Sequence, residues 1–269
     1  MASLVETECP APASPGHAIR LLGPLEVRGS GGVVEVGGVR RQAVLALLVL
    51  HEGRPVSLER LIVRLWPFRP PANAAASVRN NISALRKLLV TVDGVCIETV
   101  GSSYVLRLPP GALDARTARA RIRRGLRLLD GDQARAAGVE LRAALSLWRG
   151  GLLPNLRQAG YDWAELTELD ELWLLASESL AEADLRCGRH RDLVPRLKCL
   201  VRQHPERQVL HRQRVTALAG AGRPGEAVAA YHEARAALRA AGQTVGVQLS
   251  AVHRALLDRT DATTPRLRV

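Results

Sequence analysis

Residues 73–90, NAAASVRNNISALRKLLV, constrain this chain more than any other stretch. Val78, Ile82, Leu85 and Leu89 recur at spacings of four, three and four, which places them on one face of a helix and requires a body to bury them. The opposite face carries Asn73, Asn80, Ser83 and Lys87, with Ser77, Arg79 and Arg86 beside it, and no acidic residue occurs between Glu59 and Asp93. The flanking sequence supplies the body. AIRLL, PLEVR and VVEV, within residues 18–36, read as strands of a small antiparallel sheet, separated by Gly-Pro and by a glycine-rich turn. Val39 to His51 is apolar on most of its surface and reads as a buried helix ended by Gly53. Ser57 can cap a helix over 58–66 by accepting an orphan backbone N–H. Pro67, Pro70 and Pro71 stop that helix, and Asn73 is placed to cap the long one.

After Asp93-Gly94 come VCIETV, Gly101-Ser102-Ser103 and YVLRL, a hairpin with its tip at 101–103. The order sheet, three helices, hairpin is that of a winged helix-turn-helix with an extra N-terminal sheet. It occupies residues 18–112, closed by Pro109-Pro110-Gly111. The expected fold class is therefore an α+β winged helix-turn-helix domain followed by an all-α, tetratricopeptide-like helical domain over 113–258.

The helical half carries a repeat. Leu185-Arg-Cys-Gly188-Arg189 recurs 34 residues later as Ala219-Gly-Ala-Gly222-Arg223, and in the same register Val194 matches Val228 and Leu197 matches Tyr231. A period of 34 with glycine between two helices is the tetratricopeptide signature. A weaker copy runs from Gly131 through Ala136 and Ala137 to Trp148, so an insertion around Gly150–Tyr161 must intervene. Each helix pair buries one face against the next and leaves a surface for a partner. Residues 161–185 hold eight acidic side chains and no basic one, whereas 186–214 hold nine basic residues against Asp192 and Glu206. Facing helices are expected to pair these charges inside the repeat stack; the alternative is that the acidic stretch meets another subunit or protein.

A formal net charge of +12 over 269 residues favours polyanionic partners, and 47% hydrophobic residues suffice for packed cores. The longest apolar run, Ala43 to Leu50, is far too short to span a bilayer. Residues 1–17 lack the basic start and apolar stretch of an export signal and read as a flexible lead; 259–269 read as a flexible tail. The expected location is cytoplasmic, with Cys9, Cys96, Cys187 and Cys199 as reduced thiols. Cys187, His190, Cys199 and His204 do not have the spacing of a closed zinc site, so no metal is expected, and Cys187 and Cys199 read as small packing residues. Trp163 and Trp173, at helical spacing with Leu166, Leu169 and Leu172, read as core or partner face. No catalytic arrangement is legible, no cofactor is implied, and an enzyme is not expected.

Within a helix-turn-helix, the polar face of 73–90 reads as a DNA-contacting surface. Asn80 is the best placed for a base edge, because a planar amide pairs with adenine N6 and N7. Asn73, Ser77, Arg79, Ser83, Arg86 and Lys87 accompany it, divided between bases and phosphates. Ser102, Ser103 and Arg107 on the wing are expected at the DNA backbone or minor groove. Arg40 and Arg41 open a helix whose positive end favours phosphate. Trp66 is expected to plug the core, leaving Phe68 and Arg69 exposed as an RNA polymerase contact.

Several words of the sequence resemble the Streptomyces antibiotic regulatory protein family: IRLLGPLEV (19–27), QAVLALLVLHEGRPVSLERLIVRLW (42–66), PPANAAASV (70–78), ISALRKLL (82–89), LRAALSLWRG (141–150), LRCGRHRDLVPRL (185–197) and GRPGEAVAAYHEAR (222–235). The resemblance implies an OmpR-type winged-helix domain joined to a bacterial transcriptional activation domain. It implies activation of secondary-metabolite gene clusters and binding of double-stranded promoter DNA at direct repeats near the −35 element, with a second protomer side by side. It also implies contact with RNA polymerase, sigma factor included. The chain departs from the family pattern at Ala84, where Arg is usual, at Asn80 and Asn81, at Ser103, where Gly is usual, and over 240–249. These changes bear on which DNA sequence is read. The competing reading is a tetratricopeptide adaptor that binds a peptide or small effector, with the winged helix as a protein-docking module; the absence of acids from 73–90 argues against it.

Overall fold

The computed structural model describes residues 16–263; Cys9, most of the 1–17 lead and the last six residues lie outside the described residues. The chain forms two compact units, one comprising residues up to Arg116 together with Arg149–Trp163, the other Thr117–Trp148 together with the chain from Ala164 onward.

The first unit opens on an antiparallel sheet of β1 (Ile19–Arg20), β2 (Glu26–Gly29) and β3 (Gly32–Val34), in that order. Helix α1 (Val39–Leu50) follows, and every residue from Ala43 to Val49 is buried, as its apolar run requires. A two-residue strand β4 (Val56–Ser57) leads into α2 (Leu58–Leu65), whose N-terminus is capped by Ser57: its Oγ accepts the Arg60 N–H at 3.1 Å. Helix α3 (Ala74–Leu89) comes next, then the hairpin of β5 (Cys96–Val100) and β6 (Ser103–Arg107). The second sheet has the order β4-β6-β5, so β6 is its central strand. Strand β4 is too short to show in sequence; only its capping serine is legible.

Residues 149–163 depart from the expected division. The sequence places them with the helical half, yet they complete the first unit. The Arg149 N–H donates to the Leu22 carbonyl and the Leu153 N–H to the Gly23 carbonyl, both at 2.9 Å. The Arg149 guanidinium donates to Glu26 (2.5 Å) and to the Pro24 carbonyl (2.8 Å). Leu152, Leu153, Leu156 and Trp163 are buried, and the short helix α6 (Pro154–Gln158) packs on α1. Trp163 precedes the next helix rather than lying within it, and its indole N–H donates to the Arg64 carbonyl at 3.2 Å. Asp114, fully buried where α4 (Asp114–Asp130) begins, accepts the N–H groups of Leu21, Leu22 and Ala115 at 2.7–3.0 Å. Burial pushes its carboxyl above the usual range, against the lowering effect of those bonds.

The second unit continues α4 and adds α5 (Ala134–Leu145), α7 (Ala164–Arg186), α8 (His190–Gln203), α9 (Gln208–Gly220), α10 (Pro224–Ala240) and α11 (Val247–Thr263). The expected flexible tail is in part this last helix, which runs to Thr263. The repeat has a physical cause. At Gly188 (φ +72°) and Gly222 (φ +78°) the chain leaves a helix through the same pair of bonds. Arg189 N–H reaches the Asp184 carbonyl and Gly188 N–H that of Leu185; 34 residues on, Arg223 reaches Leu218 and Gly222 reaches Ala219. This is the Schellman ending, which needs a left-handed residue. The weaker copy ends the same way with Gln133 on Leu128 and Asp132 on Leu129, but Asp132 (φ +57°) occupies the left-handed position.

Four acidic side chains of α7, Glu171, Glu178, Glu182 and Asp184, are paired within this unit. Glu178 and Glu171 meet Arg207 at 3.0 and 3.1 Å, Glu182 meets Arg186 and Arg212, and Asp184 meets Arg142 and Arg189. Cys199 is exposed, so its reading as a packing residue is corrected; it lies on the outward face of α8. Among the described residues, no group of His, Cys, Asp and Glu is arranged to hold a metal, and no helix is long and apolar enough to cross a membrane.

Candidate nucleic-acid interface

Helix α3 divides into two faces. Val78, Ile82, Leu85 and Leu89 are at most 1% exposed, packed toward α1 and α2. Arg79, Asn80, Ser83 and Lys87 are exposed, and among the described residues their side chains have no hydrogen-bond or ion-pair partner. Asn73 is exposed at the N-cap position but does not cap through its side chain: its carbonyl accepts the Ser77 N–H at 2.9 Å, and its φ −93° and ψ 15° are not the extended backbone of a capping residue. Ser77 is half-buried, and its carbonyl accepts the Asn81 amide at 2.8 Å.

Arg86 differs from its neighbours. Its Nε donates to the Ile97 carbonyl at 2.9 Å and an Nη to Thr99 Oγ1 at 2.6 Å. Arg86, expected among the DNA contacts, thus also clamps the hairpin to α3. A basic residue one turn from a helix end carries no sequence signal of this role, because the partner is a backbone carbonyl.

The hairpin tip is tighter than expected. Val100 pairs with Ser103, so the loop is Gly101 and Ser102 alone, with Gly101 at φ +58° in the glycine-first pattern of a type II′ turn. Ser103 is a strand residue paired on both sides, with Val100 and with Ser57, and is half-buried; its placement at the tip is corrected. Ser102 is exposed, and its carbonyl accepts the Leu58 N–H at 3.0 Å, tying the wing to the start of α2. Arg107 lies four residues from Ser103, about 13 Å along the strand, and its Nε donates to Glu98 at 2.8 Å. It sits at the far end of the wing from the turn, and its charge, expected at the DNA backbone or minor groove, is paired with Glu98. Exposed Thr99 and Val100 flank the turn instead and were missed in the sequence.

At the start of α1, Arg40 lies over the Trp66 ring, 4.8 Å from its centroid, a cation–π contact. Trp66 is half-buried beneath it rather than a full core plug. Arg41 is half-buried and folds back to the Val36 carbonyl at 3.4 Å, so it does not face outward as Arg40 does. Phe68 is 98% exposed and Arg69 is exposed, on the loop between α2 and α3.

A winged helix with an exposed basic-polar face on α3, carried on the same chain as a helical repeat unit, defines a transcriptional regulator of the bacterial OmpR-like class. Residues 38–106 match the C-terminal domain of transcriptional regulatory proteins, and 113–257 match the bacterial transcriptional activator domain. The chain belongs to the Streptomyces antibiotic regulatory protein family. It is 34% identical to the transcriptional regulatory protein EmbR of Mycobacterium tuberculosis over 242 residues, 89% of this chain and 62% of EmbR. It is 29% identical to the regulatory protein DnrI of Streptomyces peucetius, covering 82% of this chain and 84% of DnrI. With the transcriptional regulator RedD of Streptomyces coelicolor it shares 30%, covering 88% and 68%. The solved structure of M. tuberculosis EmbR in complex with a low-affinity phosphopeptide superposes with a TM-score of 0.84 at 33% identity, over 90% of this chain and 65% of EmbR. The chain therefore spans somewhat under two thirds of EmbR's length.

Proposed function

We propose that the chain is a sequence-specific DNA-binding activator that reads promoter repeats through α3 and strengthens RNA polymerase binding through its other surfaces. The observation that carries this reading is the division of α3: an apolar stripe at most 1% exposed, and an opposite stripe of Arg79, Asn80, Ser83 and Lys87, open and without a carboxylate. Amide and hydroxyl groups suit base edges, and Arg and Lys suit phosphates and guanine. Arg40 and Ser102 add backbone contacts, while Arg86 holds the wing. Two protomers lie in the same direction on direct repeats near the −35 element, one or two helical turns apart. Phe68 and Arg69 form one contact with polymerase or its sigma factor, and the regulated genes belong to a secondary-metabolite cluster.

An electrophoretic shift with the full chain on repeat-containing promoter fragments tests this. Binding is expected to fall steeply with salt and to weaken at least about tenfold in Asn80→Ala/Lys87→Ala, a loss of one base contact and one phosphate contact. Unchanged affinity and unchanged salt dependence in that variant would remove α3 as the reading helix.

A further inference from the structure

Helices α8 and α10 both pack on α9, and a groove of ≈ 300 Å³ remains between them. Val194, Lys198 and Arg202 repeat every fourth residue along α8 and form one wall. Helix α9 contributes Arg214 and Leu218 to the floor, and Arg223 stands where α10 begins. Val194 and Leu218 are buried and supply an apolar patch, and Lys198, Arg202, Arg214 and Arg223 place cations around it. Two carboxylates also line the groove, and each is engaged: Glu233 with Arg214 at 2.7 Å and Glu226 with Arg223 at 2.6 Å. Lys198 and Arg202 are left in excess, and among the described residues Arg202 has no hydrogen-bond or ion-pair partner. The local field is positive enough to be felt by an exposed group: Glu226 is held below the usual carboxylate range by Arg223 first, then by Lys198 and Arg214.

We propose that this groove docks an acidic, leucine-containing segment of a partner protein. This rests on the activator reading above and gives the helical unit's partner contact a surface and a chemistry. Cations around an apolar patch fit a ligand that presents carboxylates beside aliphatic side chains, and the gap between two helices over a third accommodates one peptide segment. A nucleic acid fits less well, since a backbone charged every ~1.7 Å would also meet Glu226 and Glu233. None of the α3 or wing residues takes part.

The test uses the full chain and its Lys198→Glu/Arg202→Glu variant, whose altered residues are exposed. A labelled synthetic peptide of glutamates and leucines is titrated by fluorescence anisotropy, with an equally charged leucine-free peptide as control. Wild-type binding that weakens about tenfold or more in the variant is expected, because two attractions become repulsions. No binding by the wild type, or equal binding of the leucine-free peptide, overturns the proposal. In parallel, promoter occupancy and transcript are measured for both chains. Unchanged occupancy with transcript reduced about tenfold supports the groove as a protein-docking site. Reduced occupancy marks it as a nucleic-acid contact and overturns the proposal, as does an unchanged transcript. Failure of the wild type to occupy any promoter sinks the DNA reading, and the peptide titration then decides on the groove alone.

Discussion

Trp163 lies 99 residues after its hydrogen-bond partner Arg64, yet it should control the stability of the winged-helix unit. It is 4% exposed, and its indole N–H donates to the Arg64 carbonyl, in the last turn of α2 where helix carbonyls need partners from outside the helix. Truncating a buried tryptophan to alanine costs about 3–5 kcal/mol. Trp163→Phe keeps most of the apolar volume and removes only the hydrogen bond, for about 1 kcal/mol. Each 1.4 kcal/mol is about a tenfold change in an opening equilibrium. Amide exchange in the buried turns of α1 and α2 should therefore accelerate about 10²- to 10³-fold or more in the alanine variant and about fivefold in the phenylalanine one. Exchange in the core of α9, which lies in the other compact unit, should hardly change. Native-state hydrogen exchange read by mass spectrometry resolves these peptides. Equal acceleration in α9, or no acceleration in α1 and α2, would refute the assignment of 149–163 to the first unit. The same reasoning predicts that a fragment ending at residue 112 is destabilised, since it lacks Leu152, Leu153, Leu156 and Trp163 and loses the buried Asp114.

Arg86→Ala should loosen the hairpin and weaken promoter binding, and Arg86→Lys should not restore it, because an ammonium cannot supply two planar N–H donors to Ile97 and Thr99 at once. If Lys restores affinity, Arg86 is a simple phosphate contact, and the salt slope of Arg86→Ala would then fall by about one. Asp132→Gly should stabilise the helical unit by about 0.5–1 kcal/mol, by relieving a left-handed non-glycine residue at a Schellman ending; a lower denaturant midpoint would contradict this. His211 is buried, donates from Nε2 to the Pro205 carbonyl, and leaves Nδ1 without a partner. Burial, with help from Arg214, depresses its pKa below the ordinary 6.5 or so. Its contribution to stability is thus full above about pH 6.5 and is lost as pH falls through the folded value. The urea midpoint should drop on acidification below pH 6.5, and that drop should shrink in His211→Gln.

What was legible in the sequence follows from periodicity. The buried stripe of α3, the apolar α1, the Ser57 cap and the 34-residue repeat each rest on local spacing, and local spacing is what a helix enforces. The readings that failed depend on where a side chain turns or what a distant segment covers. Ser103 and the tip residues differ by one position because a two-residue loop and a three-residue loop share the same composition. Arg107 looked available because its partner, Glu98, lies on the neighbouring strand. The discontinuity at 149–163 left only an interruption in the repeat; that its leucines serve the other unit depends on contacts over 120 residues apart in sequence, such as Arg149 with Glu26.

That discontinuity changes how the two activities proposed for the chain must be separated experimentally. Three peptide bonds, after Arg116, Trp148 and Trp163, join the units. A cut at any single site therefore leaves at least one unit incomplete; only the cut after Trp163 keeps the first unit whole, so a fragment cut earlier that fails to bind DNA says nothing about which residues touch it. Point substitutions avoid the problem only where the side chain is exposed and has no internal partner. Asn80, Ser83 and Lys87 on α3 and Arg202 on α8 meet that condition; Arg86, Arg107 and Arg41 do not, because each holds another part of its own unit. Loss of DNA binding on removing Lys87 thus reports on contact, whereas the same loss on removing Arg86 reports first on the position of the wing. The comparison between those two variants, at matched stability, is what distinguishes a reading residue from the residue that holds the reading surface in place.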